Sequence, residues 1–288
     1  MYDVVVLGSN GQLGSDLIEA LGTTKLQTIG LTRNEIDVLN DNIHEILSKY
    51  PTKIIINCIA TTNVDGCELD SNSAFIINSS FVTQLAKYAK ANDIKIFHIS
   101  TDYVFDGTKV EGYSEADQPN PINIYGLSKY AGEIALSIYH DKYFIFRVSS
   151  LFGINGASGK GGNFITTMQR LASNQEKVSV IANQYMCPTS TYYIARAITH
   201  FIVEDITDYG IYNCVSQNSC SWYDFACAIF KQSGFGENKG SKGKFEDYKF
   251  KAARPQYSVL KVDKLNSYYQ MPTWELSLDK YFSLKNGG

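Results

Sequence analysis

A short glycine turn near the start of the chain limits its fold more than any other feature. The β-branched run Val4-Val5-Val6-Leu7 leads straight into Gly8-Ser9-Asn10-Gly11-Gln12-Leu13-Gly14, and helical spacing follows from Gln12 to Leu21. A strand that passes through a glycine turn into a helix is the opening unit of a parallel α/β sheet. The G-x-x-G-x-x-G spacing differs from the commoner G-x-G-x-x-G, but the physics is the same. Glycines permit a tight turn and close backbone approach, and the first turn of the helix offers free N–H groups to a pyrophosphate. The alternative is a glycine-rich turn that binds nothing.

The strand and helix signals continue to alternate. Gln27–Leu31, Lys53–Ile59, Ile94–Ile99 and Tyr143–Val148 read as strands. Ile43–Lys49, Ala74–Ala91 and Tyr125–Tyr139 read as helices. Uninterrupted apolar strands between helices predict a parallel sheet covered on both faces. After about Leu151 the rhythm changes. Gly153–Gly162 reads as a glycine-rich loop, followed by a helix over Asn163–Ser173. Short strands are expected near Val178–Ile181 and Ile211–Val215, helices at Thr191–Ile202 and Ser221–Ser233, and a mobile Gly- and Lys-rich loop at Gly234–Lys251. The expected class is α/β: a Rossmann-type doubly wound parallel sheet over residues 1–150 and a smaller C-terminal α+β substrate region over 151–288, with segments that interleave.

Composition narrows the function. The net charge of −3 gives no general attraction for nucleic acid or an anionic membrane. No apolar run approaches the roughly 18 to 20 residues that span a bilayer, and the N-terminus has no basic n-region, so a cytoplasmic location is expected. The six cysteines contain no Cys-x-x-Cys pair, and the four histidines, His44, His98, His140 and His200, lack metal-ligand spacing. No metal site is expected.

At the end of the second strand stands Gly30-Leu31-Thr32-Arg33-Asn34, with no acid to bond a ribose 2′-hydroxyl. Arg33 suits a 2′-phosphate instead, and so favours NADPH over NADH; the alternative is a solvated surface arginine. Asp37 and Val38 follow as a border for the adenine. Tyr125-Gly126-Leu127-Ser128-Lys129 places Tyr and Lys one helical turn apart on a single face. A free phenol ionises near pH 10, and a neutral-pH acid works best near 7. That gap is about 4 kcal/mol, which one positive charge about 4 Å away supplies at an effective dielectric of about 20. Lys129 is therefore expected to lower the Tyr125 pKa. Ser100-Thr101-Asp102-Tyr103 follows a buried strand and emerges at the C-terminal edge of the sheet, where Thr101 can bond a substrate oxygen beside Tyr125.

Glycine turn, Thr101 turn and Tyr-x-x-x-Lys, in this order and spacing, resemble the extended short-chain dehydrogenase/reductases. Within them the chain resembles the dTDP-4-dehydrorhamnose reductase family. The likeness runs nearly end to end, through His98-Ile99-Ser100-Thr101-Asp102-Tyr103-Val104-Phe105-Asp106-Gly107, Gly162-Asn163-Phe164, Ser221-Trp222-Tyr223 and Ala253-Arg254-Pro255. It implies a nicotinamide-dependent reduction of the C4 ketone of a nucleotide-linked 4-keto-6-deoxy sugar. Tyr125 would protonate the oxyanion, Lys129 would hold the nicotinamide ribose, and Thr101 would bond the C4 oxygen. Gly8, Asn10, Gly11, Gln12, Leu13 and Gly14 would cradle the pyrophosphate, with Ala60, Thr62 and Ser100 also on the cofactor side. Val64, Asp102, Tyr103, Ser150 and Asn163 match substrate-side positions. Arg254 is either a ligand of the substrate diphosphate or half of a structural ion pair.

Three positions depart from the family pattern. Ser150 stands where Trp is usual, Met186 where Gly is usual, and Cys58-Ile59 where small alanines are usual. The first leaves the sugar open, the second allows a different loop path, and the third is expected to narrow the cofactor groove. A 4,6-dehydratase would need an Asp-Glu pair where this chain has Asp102-Tyr103. A related epimerase or epimerase–reductase acting on another sugar is the nearest alternative. A non-catalytic subunit of the kind that regulates methionine adenosyltransferase is the alternative from another class. The expected assembly is a monomer or homodimer.

Overall fold

The computed structural model describes residues 1–40, 42–156 and 162–287. Part of the expected Gly153–Gly162 loop, residues 157–161, lies outside them. Five strands in chain order, β1 (Tyr2–Leu7), β2 (Thr28–Leu31), β3 (Thr52–Asn57), β4 (Lys95–Thr101) and β5 (Tyr143–Val148), join a further strand, Gly210–Asn213, in one sheet. Its order is Gly210–Asn213, β5, β4, β3, β1, β2, and every pairing is parallel. The chain runs outward from β1 to β2, then returns past β1 to begin β3. That reversal opens a crevice at the C-terminal ends of β1 and β3, where doubly wound sheets bind ligands.

The sheet is apolar on both faces. Val4 and Val6 point to one side, with Leu13 and Leu17 of the Gln12–Gly22 helix and Ile194, Ile198 and Phe201 of the Thr191–Val203 helix. Val5 and Leu7 point to the other, with Phe81, Leu85 and Ala89 of the Phe81–Ala91 helix. Each fully buried side chain of this size stabilises the fold by about 1.5–3 kcal/mol before entropy is counted. The Gly210–Asn213 strand and the Thr191–Val203 helix come from the later sequence, yet both belong to this layer.

A second core gathers helices Phe164–Asn174, Trp222–Gln232 and Trp274–Asn286 beside the strand Val178–Ile181. Two expectations are corrected here. The Gly234–Lys251 stretch contains a strand, Gly240–Gly243, paired in parallel with Val178–Ile181. Gly240 lies against Cys227 and Tyr223, where an added Cβ would come within 3.1–3.2 Å of both, so its glycine content serves packing. The helix expected over Ala74–Ala91 is interrupted by a π-turn at Ile76–Ser80. Inside that turn, buried Asn78 accepts from the Thr61 N–H at 3.0 Å and donates to Ser128 Oγ at 2.9 Å. These bonds tie the loop after β3 to the helix Ile124–Tyr139.

Met186 lies in the short strand Tyr185–Met186, paired antiparallel with Cys220–Ser221, and its side chain is buried. Of the described residues, no helix is long and apolar enough to cross a membrane.

Candidate active site

One cleft, of about 870 Å³, opens over the C-terminal ends of β1, β3 and β4. This is within the usual range for small-molecule and cofactor sites. Its floor is the glycine turn. Gly8 has φ +74°, and a Cβ on Gly14 would stand 2.2 Å from the Gly8 carbonyl oxygen. Only glycine lets the helix start this close to β1. The Gln12–Gly22 helix has no side chain capping its N-terminus, so its first N–H groups face the cleft with the positive end of the helix dipole. Gln12 Nε2 is buried and has no hydrogen-bond partner among the described residues. Unpaired donors and a cradle that a Cβ would fill both suit a bound diphosphate.

Along one rim of the cleft, Arg33 is 76% exposed and approaches Asp37 at 3.8 Å. Ile36, Asp37, Val38 and Leu39 continue the rim. Cys58 and Ile59 line the groove as larger residues than alanine.

The Tyr125 side of the cleft is set by one helix start. Asn123 caps the helix Ile124–Tyr139 by accepting from the Gly126 N–H at 2.7 Å, and donates to the Ala253 carbonyl at 2.8 Å. A Cβ on Gly126 would fall 2.0 Å from the Tyr103 carbonyl oxygen. This close approach sets Tyr125 against the turn after β4. The Tyr125 and Tyr103 rings meet edge to face at 5.9 Å, and the Tyr125 hydroxyl faces Thr101 in the same cleft. Thr101 Oγ1 also lies 3.0 Å from Asp102 Oδ1 and accepts from the Tyr103 N–H at 3.2 Å. Ser149 holds the other Asp102 oxygen at 2.8 Å.

Burial dominates the titration of this cluster. It raises Asp102 to about 6 against its hydrogen bonds, and lowers Lys129 to about 8 although Glu133 acts the other way. Burial also raises Tyr125, and Asp102 adds to that rise while the Thr101 hydroxyl opposes it. The expected lowering of the phenol by Lys129 is therefore corrected. Lys129 Nζ donates to the Ile99 carbonyl at 2.6 Å and faces His98 Nε2 at 3.5 Å, so its charge is directed at the β4 backbone.

Every site residue expected from the sequence lines this cleft except Arg254. Arg254 pairs bidentately with Asp65, both contacts 3.0 Å, and its guanidinium lies 3.9 Å over the Phe250 ring. Ser100 reaches the cleft, but its hydroxyl donates to Glu133, which also holds Arg147 at 3.0 and 2.7 Å. Asn163 caps the Phe164–Asn174 helix and donates to the Gly153 carbonyl at 2.9 Å. Ser150 sits in the left-handed region, at φ +46°. Sequence reading did not place Phe164, Trp222 or Phe225 in the site. Phe164 packs on Trp222 at 4.6 Å and stacks on Phe225 at 5.7 Å, and all three add an aromatic cluster to the lining of the cleft. The signals for Phe164 and Trp222 are the Gly162-Asn163-Phe164 and Ser221-Trp222-Tyr223 motifs, which carry the family likeness without a role for either ring.

A glycine turn, a hydroxyl pair at a strand edge and a Tyr-x-x-x-Lys helix meeting over a doubly wound sheet define a dinucleotide-dependent reductase of the short-chain dehydrogenase type. The chain belongs to the family described as RmlD substrate binding domain, whose model matches residues 2–285. It is 35% identical to the dTDP-4-dehydrorhamnose reductase of Aggregatibacter actinomycetemcomitans, over 96% of this chain and 97% of that one. It is 33% identical to the spore coat polysaccharide biosynthesis protein SpsK of Bacillus subtilis, over 90% and 89%. The crystal structure of dTDP-4-dehydrorhamnose reductase from Bacillus anthracis in complex with NADP superimposes with a TM-score of 0.90, at 36% identity, covering 98% of each chain.

Proposed function

We propose that this protein is an NADPH-dependent reductase that converts dTDP-4-dehydrorhamnose to dTDP-L-rhamnose. The observation that carries the reading is that Thr101, Tyr125 and Lys129 line the same cleft as the glycine turn. When bound, the reduced dinucleotide supplies the hydride. The backbone of Gly8 to Gly14 holds its diphosphate, Arg33 its 2′-phosphate, and Lys129 its nicotinamide ribose. The C4 ketone oxygen lies between the Thr101 hydroxyl and the Tyr125 phenol.

A raised phenol pKa suits this direction of reaction. Tyr125 stays protonated at neutral pH, and a sugar alkoxide is a far stronger base than a phenolate. Proton transfer from Tyr125 to the C4 oxygen therefore runs downhill. The same raised value would slow the reverse oxidation, which needs a phenolate. The Tyr103 N–H holds Thr101 Oγ1 in place, and the Thr101 hydroxyl, which donates to Asp102 in this structure, turns its proton to the C4 oxygen to hold it in reach of the phenol. Asp102, Tyr103, Val64, Ser150 and Asn163 form the substrate side. Arg254, held in its ion pair with Asp65, is a structural residue in this reading. The enzyme works in the cytoplasm as a monomer or homodimer, with neither nucleic acid nor membrane as a partner.

The test is loss of reduced-nicotinamide absorbance on adding dTDP-4-dehydrorhamnose, against a panel of UDP- and GDP-linked 4-keto-6-deoxy sugars, with each product identified by NMR. Turnover of the dTDP sugar to dTDP-L-rhamnose is expected. Turnover of none of them, or of another sugar alone, overturns the reading.

A further inference from the structure

Behind Lys129 lies a buried chain of polar groups that the reaction described above does not use. It begins at the end of β3, where Asn57 Oδ1 accepts from the Ile59 N–H at 3.0 Å. That bond fixes the amide, so its Nδ2 end is the one 3.1 Å from His98 Nδ1. An amide NH₂ only donates, and Nδ1 must accept it with a lone pair. A neutral imidazole with a bare Nδ1 carries its proton on Nε2. An imidazolium would set one N–H against another. Both Asn57 and His98 are fully buried, and burial, followed by the charge of Lys129, holds His98 well below its usual pKa. His98 is therefore neutral, with Nε2–H directed at Lys129 Nζ 3.5 Å away.

We propose that His98 is a positioning residue for Lys129: Asn57 holds it as the Nε2–H tautomer, and that N–H favours the uncharged amine over the ammonium. An ammonium carries three donors and no acceptor, so an N–H aimed at it is repulsive. An amine offers a lone pair and accepts the same N–H while still donating to Ile99. The other groups facing Lys129 are few. The Cys58 thiol approaches from the loop after β3, and Glu133 lies one turn further along the lysine's own helix. Glu133 favours the ammonium, but its carboxylate is shared with Arg147 and Ser100. His98 and burial act together against Glu133. Lys129 then changes charge near pH 8, within reach of ordinary assay conditions, and His98 thereby sets the pH above which the ammonium, the form that serves the reaction, is lost. The proposal rests on Lys129 belonging to the reductase site.

Two readouts test it. Long-range proton–nitrogen NMR correlation on histidine-labelled protein reports the tautomer directly, and only four histidines contribute. His98→Gln identifies the resonance. The neutral Nε2–H form is expected at every pH where the enzyme is active. The second readout is the alkaline limb of the pH–rate profile, expected near pH 8 in the wild type. His98→Leu removes the N–H and should move that limb upward by about 0.5 to 1 pH unit, the worth of one neutral hydrogen bond. His98→Gln keeps a donor at the same reach and should restore it. An Nδ1–H tautomer, an imidazolium, or an unmoved limb in folded His98→Leu overturns the proposal. If His98→Leu does not fold, the wild-type spectrum still decides. Lack of turnover with every 4-keto sugar would defeat the reductase reading and leave the tautomer result standing.

Discussion

The two walls of the cleft are built on different principles. The proposed cofactor wall is mostly backbone: the Gly8–Gly14 turn, the uncapped start of the Gln12–Gly22 helix and the edges of β1 and β3. The proposed substrate wall is mostly side chain, drawn from Val64, Tyr103, Ser150, Asn163, Phe164 and Trp222, which are scattered over more than half the sequence. A backbone cradle tolerates little change, because a Cβ in it meets a carbonyl. A side-chain wall can be repopulated residue by residue without disturbing the sheet. Chemistry is thus held fixed by the fold while the sugar preference is free to drift.

The sharpest way to break this comparison is at the group that both walls share. Tyr125→Phe keeps the ring against Tyr103 and removes the proton. Turnover should fall on the order of 10²- to 10⁴-fold, with NADPH affinity nearly unchanged in a fluorescence titration. Turnover near the wild-type value would remove Tyr125 from the reaction.

On the cofactor wall, Gly14→Ala places a methyl 2.2 Å from the Gly8 oxygen and 2.8 Å from Ser9 Cα. Both neighbours are backbone, so the turn must move. Thermal melts should show a loss of about 1–3 kcal/mol, and NADPH binding should weaken with it. Gly22→Ala is the control, since nothing lies within 4 Å of its added Cβ. Equal effects from the two would mean that the cradle is not close-packed.

Arg33→Ala tests cofactor choice. Because the side chain is 76% exposed and solvent screens it, the loss of NADPH affinity should be roughly 5- to 10-fold, with NADH little affected. A similar loss for both dinucleotides would show that Arg33 does not meet the 2′-phosphate.

Ser150→Trp probes the substrate wall and carries the smallest expected effect. Serine fills less of the cleft than tryptophan would, and Phe164 and Trp222 already supply aromatic rings to the same lining. One further aromatic contact is worth about 0.5–1.5 kcal/mol, or roughly 2- to 13-fold in kcat/KM. No gain with dTDP-4-dehydrorhamnose would mean that the existing aromatic wall already does the work of the missing ring.

The same contrast explains what could be read from the chain itself. The sheet strands, the glycine turn and the Tyr125–Lys129 helix rest on local patterns, apolar runs and fixed spacing, and these were legible. Asn78 was not, because its π-turn follows from partners at Thr61 and Ser128 that are close only after folding. Gly240–Gly243 was not, because glycine and lysine signal a loop wherever no neighbour is known, and its reason for being a strand is the Val178–Ile181 edge. The aromatic wall was visible as a motif, but its direction depends on how the Trp222–Gln232 helix is seated. The titration of Tyr125 was misjudged because spacing on a helix gives proximity to Lys129 and says nothing of burial or of Asp102.

The most direct test of the central claim, that hydride delivery and proton donation converge on one carbonyl beside Thr101 and Tyr125, is isotopic. Reduced NADP carrying deuterium at its transferable position is turned over with dTDP-4-dehydrorhamnose, and the product is examined by NMR. The account predicts one deuterium, bonded to C4 of the rhamnose ring, in a single configuration. Deuterium on another carbon, washed out to solvent, or divided between both C4 configurations would contradict it.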